Sequence, residues 1–515
     1  MKFMYNLAII DIGSNSMKMV LAEVKKGNSF NIIDELKETV RLGKGMNEEK
    51  KLKEDRIEKA IQTLRMFKDL CEANKTEEII TVATAAVREA KNRQKFLNRV
   101  KDEIGLEVKV LSGLDEGYYD YWGVANSIDR EDGLIMDIGG GSIELVWMKD
   151  RVIKESTSLS FGALDITQNF DLYDSISPEQ EAELEDFLTQ AYQEVPWLSK
   201  MEHQTLLGVG GTLKNIARID QRKKNYPLNI LHNYKMSAAD INDVYHLVKK
   251  KDLAERKDIS GLSKKRADIF IGASAAVDAL VNFCGLDKLV LSRKGIREGL
   301  IYHHLCREDN PVKDVIDFSI QNILNNFNLN QNHAYHIYQL TKSLYDQLKP
   351  LYNLTAPEFE GDIDKIILVA AMMHDIGNHI NYYDHHEHSF YMILNTGLNG
   401  LSHRELLLSA YISASHRHTK YSLHKYNLNR ASFQKIINKD GSDKEMIRKT
   451  GILLEIAESL DRSMNGIVEA IQCSITVDRV KMKTISRADA SLEINDALET
   501  ADGFKKLYDK ELAIY

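Results

Sequence analysis

Cysteine is scarce in this chain, with four among 515 residues. Cys71, Cys284, Cys306 and Cys473 lie far apart and form no CxxC pair. That excludes a disulfide framework and makes reduced thiols in the cytoplasm the expectation. Long hydrophobic runs are missing too. The longest, Ile366–Met373, falls well short of the ~20 residues a membrane span needs, so no membrane partner is expected. The N-terminus enters a predicted strand directly, without a cleavable signal pattern. No segment is of low complexity. Positive charge is not in excess: 68 Lys and Arg against 76 Asp and Glu leave a net charge of −8, which argues against a nucleic-acid partner. A polyanionic substrate would need a local concentration of arginine, lysine and Mg²⁺ to overcome that field.

What is present is ordinary globular composition, 43% apolar and 28% charged, in a length that suits about three domains of ~150 residues. Within it, Leu134–Trp147 (LIMDIGGGSIELVW) reads as strand, glycine turn, strand. Glycines let backbone N–H groups approach a phosphate, and Asp137 at the strand end can hold hydrated Mg²⁺. Residues Ile9–Val20 (IIDIGSNSMKMV) repeat the stretch at a constant offset of 126 residues, with Asp11/Asp137, Ile12/Ile138, Gly13/Gly139, Ser16/Ser142 and Val20/Val146 identical. Two such hairpins facing each other make a cleft with phosphate binders on both walls.

With these motifs the chain resembles the actin–hexokinase superfamily and, within it, the exopolyphosphatase/guanosine-pentaphosphate phosphatase (Ppx/GppA) family, over roughly the first three fifths of its length. The resemblance implies two actin-like (ribonuclease H-like) α/β domains, 1–124 and 125–309, with a cleft between them. Strands are predicted at 7–11, 17–24, 30–41, 78–83 and 107–111, and helices near 54–74, 92–104 and 114–124. A further helix, 178–195, is marked by Ser177-Pro178-Glu179-Gln180, a cap with proline at the first helical position. Asp309-Asn310-Pro311 reads as a boundary.

The site residues follow from the same resemblance. Arg88, after the predicted strand IITVA, matches an arginine that contacts the phosphate chain. Ser112-Gly113-Leu114-Asp115-Glu116 matches the family's Ser-Gly-x-Glu-Glu, whose second acid is the proposed general base, here Glu116. The chain departs from the pattern at Asp115, Gly117 and Tyr118, where an arginine is lost. Asp137 and Glu144 are expected to fix Mg²⁺. Asp11, Gly13, Ser14, Asn15, Ser16, Gly139, Gly140, Gly141 and Ser142 are expected to bind phosphate. Gly210-Gly211-Thr212 opens a helix with an anion-ready N-terminus, and Arg293 and Arg297 stand in the closing motif.

Beyond 310 the character changes. Residues 310–473 show helical periodicity, and 11 of the 16 histidines fall between His333 and His424. His333, His374-Asp375 and Asp461 resemble the metal-binding set of the HD superfamily. An HD-type helical domain is therefore expected, with His386 or His388 and His416 as candidates for a second metal. Alternating residues from Ser474 suggest a small α+β segment over 474–515.

The reading is a cytoplasmic phosphoric-anhydride hydrolase acting on inorganic polyphosphate, guanosine pentaphosphate, or both. The cofactor is Mg²⁺, with a second divalent metal in the HD domain left open. The resemblance also implies guanosine tetraphosphate as a related ligand and a homodimer. Three rival readings stay open: a kinase of the same superfamily, an alarmone- or nucleotide-sensing protein with weak turnover, and a second phosphohydrolase in the HD domain.

Overall fold

The computed structural model describes residues 4–46, 50–306, 310–352, 363–417, 435–437 and 441–515. Asp309 of the expected boundary, and His418 and His424 of the histidine-rich stretch, lie outside the described residues. Contacts divide the chain into two compact units, Met1–Val315 and Ile316–Tyr515.

The first unit contains two sheets. In the first, β1 (Met4–Ile12), β2 (Met17–Lys25) and β3 (Phe30–Glu38) form an antiparallel meander, and β4 (Glu78–Ala83) and β5 (Val108–Val110) extend it in parallel, giving the order β3-β2-β1-β4-β5. The second repeats this plan. In it β6 (Gly133–Ile138), β7 (Ile143–Lys149) and β8 (Val152–Leu159) make the meander, followed by β9 (Thr205–Val209), β10 (Lys235–Ser237) and β11 (Lys288–Leu291) in the order β10-β11-β9-β6-β7-β8. The residues that the duplication marked thus sit at the same place in two like sheets.

Each sheet is covered because its helices carry apolar faces at helical spacing. In Glu54–Ala73, Ile57, Ala60, Ile61, Leu64, Phe67 and Cys71 are buried against Ile10, Ile12, Met17 and Met19 of the first sheet. In the second lobe the most apolar helix, Phe270–Cys284, is buried along almost its whole length. The predicted helix at 178–195 spans Pro178–Gln193 and begins with the expected capping box.

Two helices cross between the lobes. The Glu116 helix, Gly113–Ala125, follows β5 but packs on β7 and β8 of the second sheet. There, a methyl group at Gly117 would sit 3.0 Å from Val146 Cγ2. The Arg297 helix, Ile296–Leu305, follows β11 but packs on β1. Tyr5 and His304 meet at 3.2 Å, and Phe30 packs edge-on against Tyr302. Where the two helices cross, a methyl at Gly299 would fall 1.8 Å from Tyr119 O, and one at Gly123 2.7 Å from Gly295 O. Glycine alone permits that approach. Tyr118, which stands where the family's arginine was expected, packs with Trp122 and His303 in this crossing.

The second unit is helical, with a three-stranded sheet of β12 (Val468–Ile475), β13 (Arg479–Ser486) and β14 (Glu511–Ile514). Its first strand begins six residues before the expected start of the α+β segment at 474. Helices Ser491–Leu498 and Ala501–Tyr508 pack the segment onto Ser442–Ser459, and the Tyr508 hydroxyl donates to Lys449 O at 3.0 Å.

Candidate active site

The duplicated hairpins meet turn to turn. A methyl at Gly140 would lie 3.1 Å from Ser14 Cβ, and one at Gly141 would lie 3.4 Å from Ala85 Cβ. The Ser14 hydroxyl accepts from Ala86 N at 3.1 Å, which ties the first turn to the short helix Ala85–Glu89 that carries Arg88. Asp11, Ser14, Ser16 and Ser142 are all buried. A cavity of ≈ 620 Å³ opens beside the turns, lined from both lobes by Ser14, Ala85, Gly140, Gly141 and Asp165.

The hairpins match in backbone and differ in charge. Across the first, Asp11 is paired with Lys18, and across the second Asp137 is paired with Glu144 at the equivalent position. Lys18 Nζ stands 3.6 Å from Asp11 Oδ2, so the first pair is neutralised. The second sets two carboxylates side by side. Glu144 accepts from Ser158 Oγ at 3.0 Å; burial and the repulsion of Asp137 push its carboxyl up to about 7. Burial also raises Asp137, against the pull of Lys18, Lys214 and Arg266. A methyl at Gly210 would fall 1.8 Å from Asp137 Oδ1, and Gly210 has φ +80°, so space and conformation both demand glycine there.

The two acids that open the Glu116 helix have separate tasks. Asp115 closes a capping box: its N–H donates to Ser112 Oγ at 3.1 Å, and its Oδ2 accepts from Ser112 N at 2.9 Å. Glu116 is buried and pairs with Arg88, whose Nη1 also donates to Leu111 O at 3.0 Å. Burial and Glu144 push the Glu116 carboxyl up to about 9, while Arg88 pulls it down. One helical turn on is Asp120, which sequence reasoning missed. It is buried, and neither carboxylate oxygen has a hydrogen-bond partner among the described residues. Burial, Asp137, Glu144 and Glu116 raise it well above the usual range. Its i, i+4 spacing from Glu116 was the available signal.

Opposite these acids stands a group of cations that the motifs did not mark. Lys214 on the helix Gly210–Lys223 is brought down to about 8 by burial and like charge, against the pull of Glu298, and Lys37 on β3, although exposed, is brought down to about 8 by partial desolvation and like charge. The neighbours responsible are Arg266, Lys18 and Arg297 for Lys37, and Lys18, Arg297 and Arg293 for Lys214. Arg266 lies over Gly211 and donates to Thr212 Oγ1 at 3.2 Å. Of the expected phosphate contacts, Arg297 is held 2.7 Å from Glu35 by its Nη2, and Arg293 is exposed. Several cations crowded together mark a place where an anion is wanted.

In the second unit the structure gathers His333, His374, Asp375 and Glu458, with every ligand atom within 4.8 Å of the others, and likewise Asp375, His385 and His416. Two of the expected residues stand apart from these groups. Asp461 does not join the cluster; it stands 2.8 Å from His333 Nδ1, and Glu458, one turn earlier on the chain, faces the imidazoles instead. The partner of His416 is His385, not His386 or His388.

Repetition of sheet and hairpin, with helices exchanged between the lobes, is the arrangement of the actin-like fold. Within that class the chain belongs to the Ppx/GppA phosphatase family: the family's model matches residues 20–308, and that of Ppx/GppA phosphatase, domain III, matches residues 315–502. It is 31% identical over 307 residues to a bifunctional 3-dehydroquinate synthase/phosphatase of Fusobacterium nucleatum subsp. nucleatum, covering 57% of this chain and 46% of that protein. The chain therefore spans about half the length of that relative. It is 26% identical over 431 residues to a guanosine-5'-triphosphate,3'-diphosphate pyrophosphatase of Pseudoalteromonas atlantica, covering 80% of this chain and 82% of that one. Among solved structures, the Aquifex aeolicus member of the Ppx/GppA family is 32% identical over 60% of this chain and 99% of its own, with a TM-score of 0.52.

Proposed function

We propose that this chain is a phosphoric-anhydride hydrolase that removes terminal phosphate from inorganic polyphosphate, guanosine pentaphosphate, or both. The observation that carries the reading is the cleft itself, where two hairpin turns face each other between a buried acidic group and a crowded set of cations. The naming of the Pseudoalteromonas relative as a guanosine-5'-triphosphate,3'-diphosphate pyrophosphatase supports the substrate class.

The donor set fits Mg²⁺. Asp137 and Glu144 are hard oxygen donors whose mutual repulsion a cation would relieve, and Mg²⁺ is commonly held by one or two carboxylates with water completing its shell. When bound there, the ion supplies charge neutralisation on the transferred phosphoryl group.

The chain's own residues do the rest. Backbone N–H groups of the two turns, with the Ser142 hydroxyl, hold the terminal phosphate. The Ser14 hydroxyl accepts from Ala86 N, which leaves its O–H free to donate to a phosphate oxygen. Arg88 holds the Glu116 carboxylate beside the turns. In its ionised form, the minority at neutral pH for a carboxyl pushed up to about 9, Glu116 accepts a proton as the water oxygen bonds to phosphorus, and the bridging oxygen departs with the electron pair of the broken P–O bond. Lys18, Lys37, Lys214 and Arg266 balance the charge of the remaining phosphates. The reading places the protein in the cytoplasm as a homodimer.

The test is phosphate release by the purified chain with Mg²⁺ and no ATP, long polyphosphate and guanosine pentaphosphate being assayed side by side. Release from either, lost in Glu116→Gln, is expected. Tight binding of both without release would leave a sensor and overturn the hydrolase reading.

A further inference from the structure

We propose that Asp120 is a positioning residue for the cleft's divalent cation, holding it through the water that the ion carries. The inference rests on the reading of Asp137 and Glu144 as that ion's ligands.

Helical spacing aims the side chain. Gly113, Glu116, Gly117 and Asp120 stand at i, i+3, i+4 and i+7, on one face of the helix Gly113–Ala125. That face is laid on β7 beside Glu144. A methyl at Gly113 would lie 3.7 Å from Glu144 Oε1, and one at Gly117 would lie 3.8 Å from Glu144 Cβ. At the far end of the face, Asp120 Oδ1 is 3.0 Å from where a methyl on Gly295 would sit, and that methyl would also fall 2.7 Å from Val209 Cγ1. Val209 is paired with Asp137 across the β6–β9 ladder. Asp120 therefore reaches in between the strand that carries Glu144 and the strand beside Asp137.

Among the described residues nothing satisfies it. Asp120 is 1% exposed, and both of its carboxylate oxygens are buried with no hydrogen-bond partner there. Its surroundings are acidic: after burial itself, Asp137, Glu144 and Glu116 act on it most, with Lys18 opposing. Two cations of this wall are committed to other acids, Lys18 to Asp11 and Arg88 to Glu116. A buried carboxylate with neither donor nor counter-charge is costly. Protonation is no cure, because the O–H would have no acceptor.

A hydrated cation supplies both missing things, whereas a lone water would bring donors without charge. Mg²⁺ gives up water reluctantly, so an ion on Asp137 and Glu144 keeps several waters. Polarised by the ion, their O–H groups are strong donors that need acceptors. Asp120 offers two empty oxygens. Direct coordination does not suit it: among the described residues, no three acids of the cleft bring ligand oxygens within 4.8 Å of one another. The carboxylate instead orients the hydration shell, the task of outer-shell partners at metal sites generally.

The test compares wild type, Asp120→Asn and Asp137→Ala as full chains stripped with chelator. Mn²⁺ is titrated in, and the free ion is followed by electron paramagnetic resonance. Binding that Asp137→Ala removes belongs to the cleft, which separates it from the histidine cluster of the helical unit. At that site Asp120→Asn should weaken Mn²⁺ about 10–100-fold, because the amide replaces one acceptor with a donor, and the Mg²⁺ concentration for half-maximal phosphate release should rise by a like factor. Without metal, Asp120→Asn should melt at or above the temperature of wild type, since a buried unpartnered charge is removed, and Mn²⁺ should raise that temperature less than it does in wild type. Asp120→Ala gives the same metal readings should the asparagine variant not fold. An Asp137-dependent site with equal Mn²⁺ affinity in wild type and folded Asp120→Asn overturns the role of Asp120 and leaves the cleft's ion in place. Mn²⁺ binding no weaker in Asp137→Ala than in wild type overturns the reading of the ligands, and this inference with it.

Discussion

Replacing Glu116 with glutamine preserves the size of the side chain and removes its capacity to take up a proton. The carboxylate is only 5% exposed, paired with Arg88 and repelled by Glu144 and Asp11. A pair of unit charges ~4 Å apart is worth about 4 kcal/mol at an effective dielectric near 20. Losing the attraction to Arg88 and losing the repulsion from Glu144 are opposite in sign, and a carboxyl pushed up to about 9 carries only part of a charge at neutral pH. The net change in stability should therefore stay within about 1 kcal/mol. The amide oxygen can still accept from Arg88, which also keeps Leu111 O. The reaction has no such compensation, because an amide cannot take the proton of the attacking water. General-base catalysis is worth ~10²–10⁴-fold, or roughly 3–5 kcal/mol of barrier. Released phosphate measured over a range of substrate concentrations, beside a thermal melt of the same preparation, separates the two effects. The expected result is kcat lower by that factor, KM unchanged or somewhat reduced, and a melting temperature within a few degrees of wild type. A folded variant with near wild-type kcat and raised KM would refute the base assignment and make Glu116 a residue that holds Arg88 in place.

Other outcomes follow from the same geometry. Asp137→Ala and Glu144→Ala should each abolish Mg²⁺-dependent phosphate release while the protein stays folded, and full activity in either would remove that residue from the metal assignment. Gly299→Ala should destabilise the first unit by about 1–3 kcal/mol or more, because its methyl would fall 1.8 Å from Tyr119 O; an unchanged melting temperature would show that the crossing helices can part. Burial pushes the Glu455 carboxyl from its ordinary 4.5 up to about 7. The folded state thus prefers the proton, and stability is full below pH 4.5 and declines as pH rises toward 7. Glu455→Gln should accordingly melt higher than wild type at pH 8, by about 1–2 kcal/mol after allowance for its partial exposure, and equal to it at pH 4. A gain of the same size at both pH values would contradict this. Polyphosphate affinity should fall as salt is added, as expected if Lys18, Lys37, Lys214 and Arg266 balance the chain's charge; a flat salt dependence would remove them from that role.

Much of this was legible because local rules and the duplication pointed the same way. The glycine turns, the alternation around Asp11 and Asp137, and the cap at Ser177 are written in short stretches, and the expected strands lie within a few residues of the observed ones. Three things were hidden. Lys37, Lys214 and Arg266 converge from three separate elements, and no spacing along a single segment reveals a charge cluster assembled in space. Asp120 lies four residues beyond Glu116 on the same helix and belongs to none of the motifs. In the second unit, the positions of Glu458 and Asp461 differ by three residues, so both fall on one helical face. Only the position of His333 between them decides which carboxylate faces the other histidines and which one orients the ring.

The exchange of helices between the two sheets governs how the first unit can be made. The helix that covers β1 is the last of the unit, and the hydrogen bond that joins Tyr5 to His304 spans 299 residues. Contacts at that separation raise the contact order and slow folding. On the ribosome, at roughly 5–20 residues per second, about 15–60 s pass between synthesis of β1 and arrival of its cover. During that time a face of apolar strands waits unprotected, so the nascent chain is a natural client for a chaperone, and the amino-terminal lobe expressed alone should aggregate rather than fold.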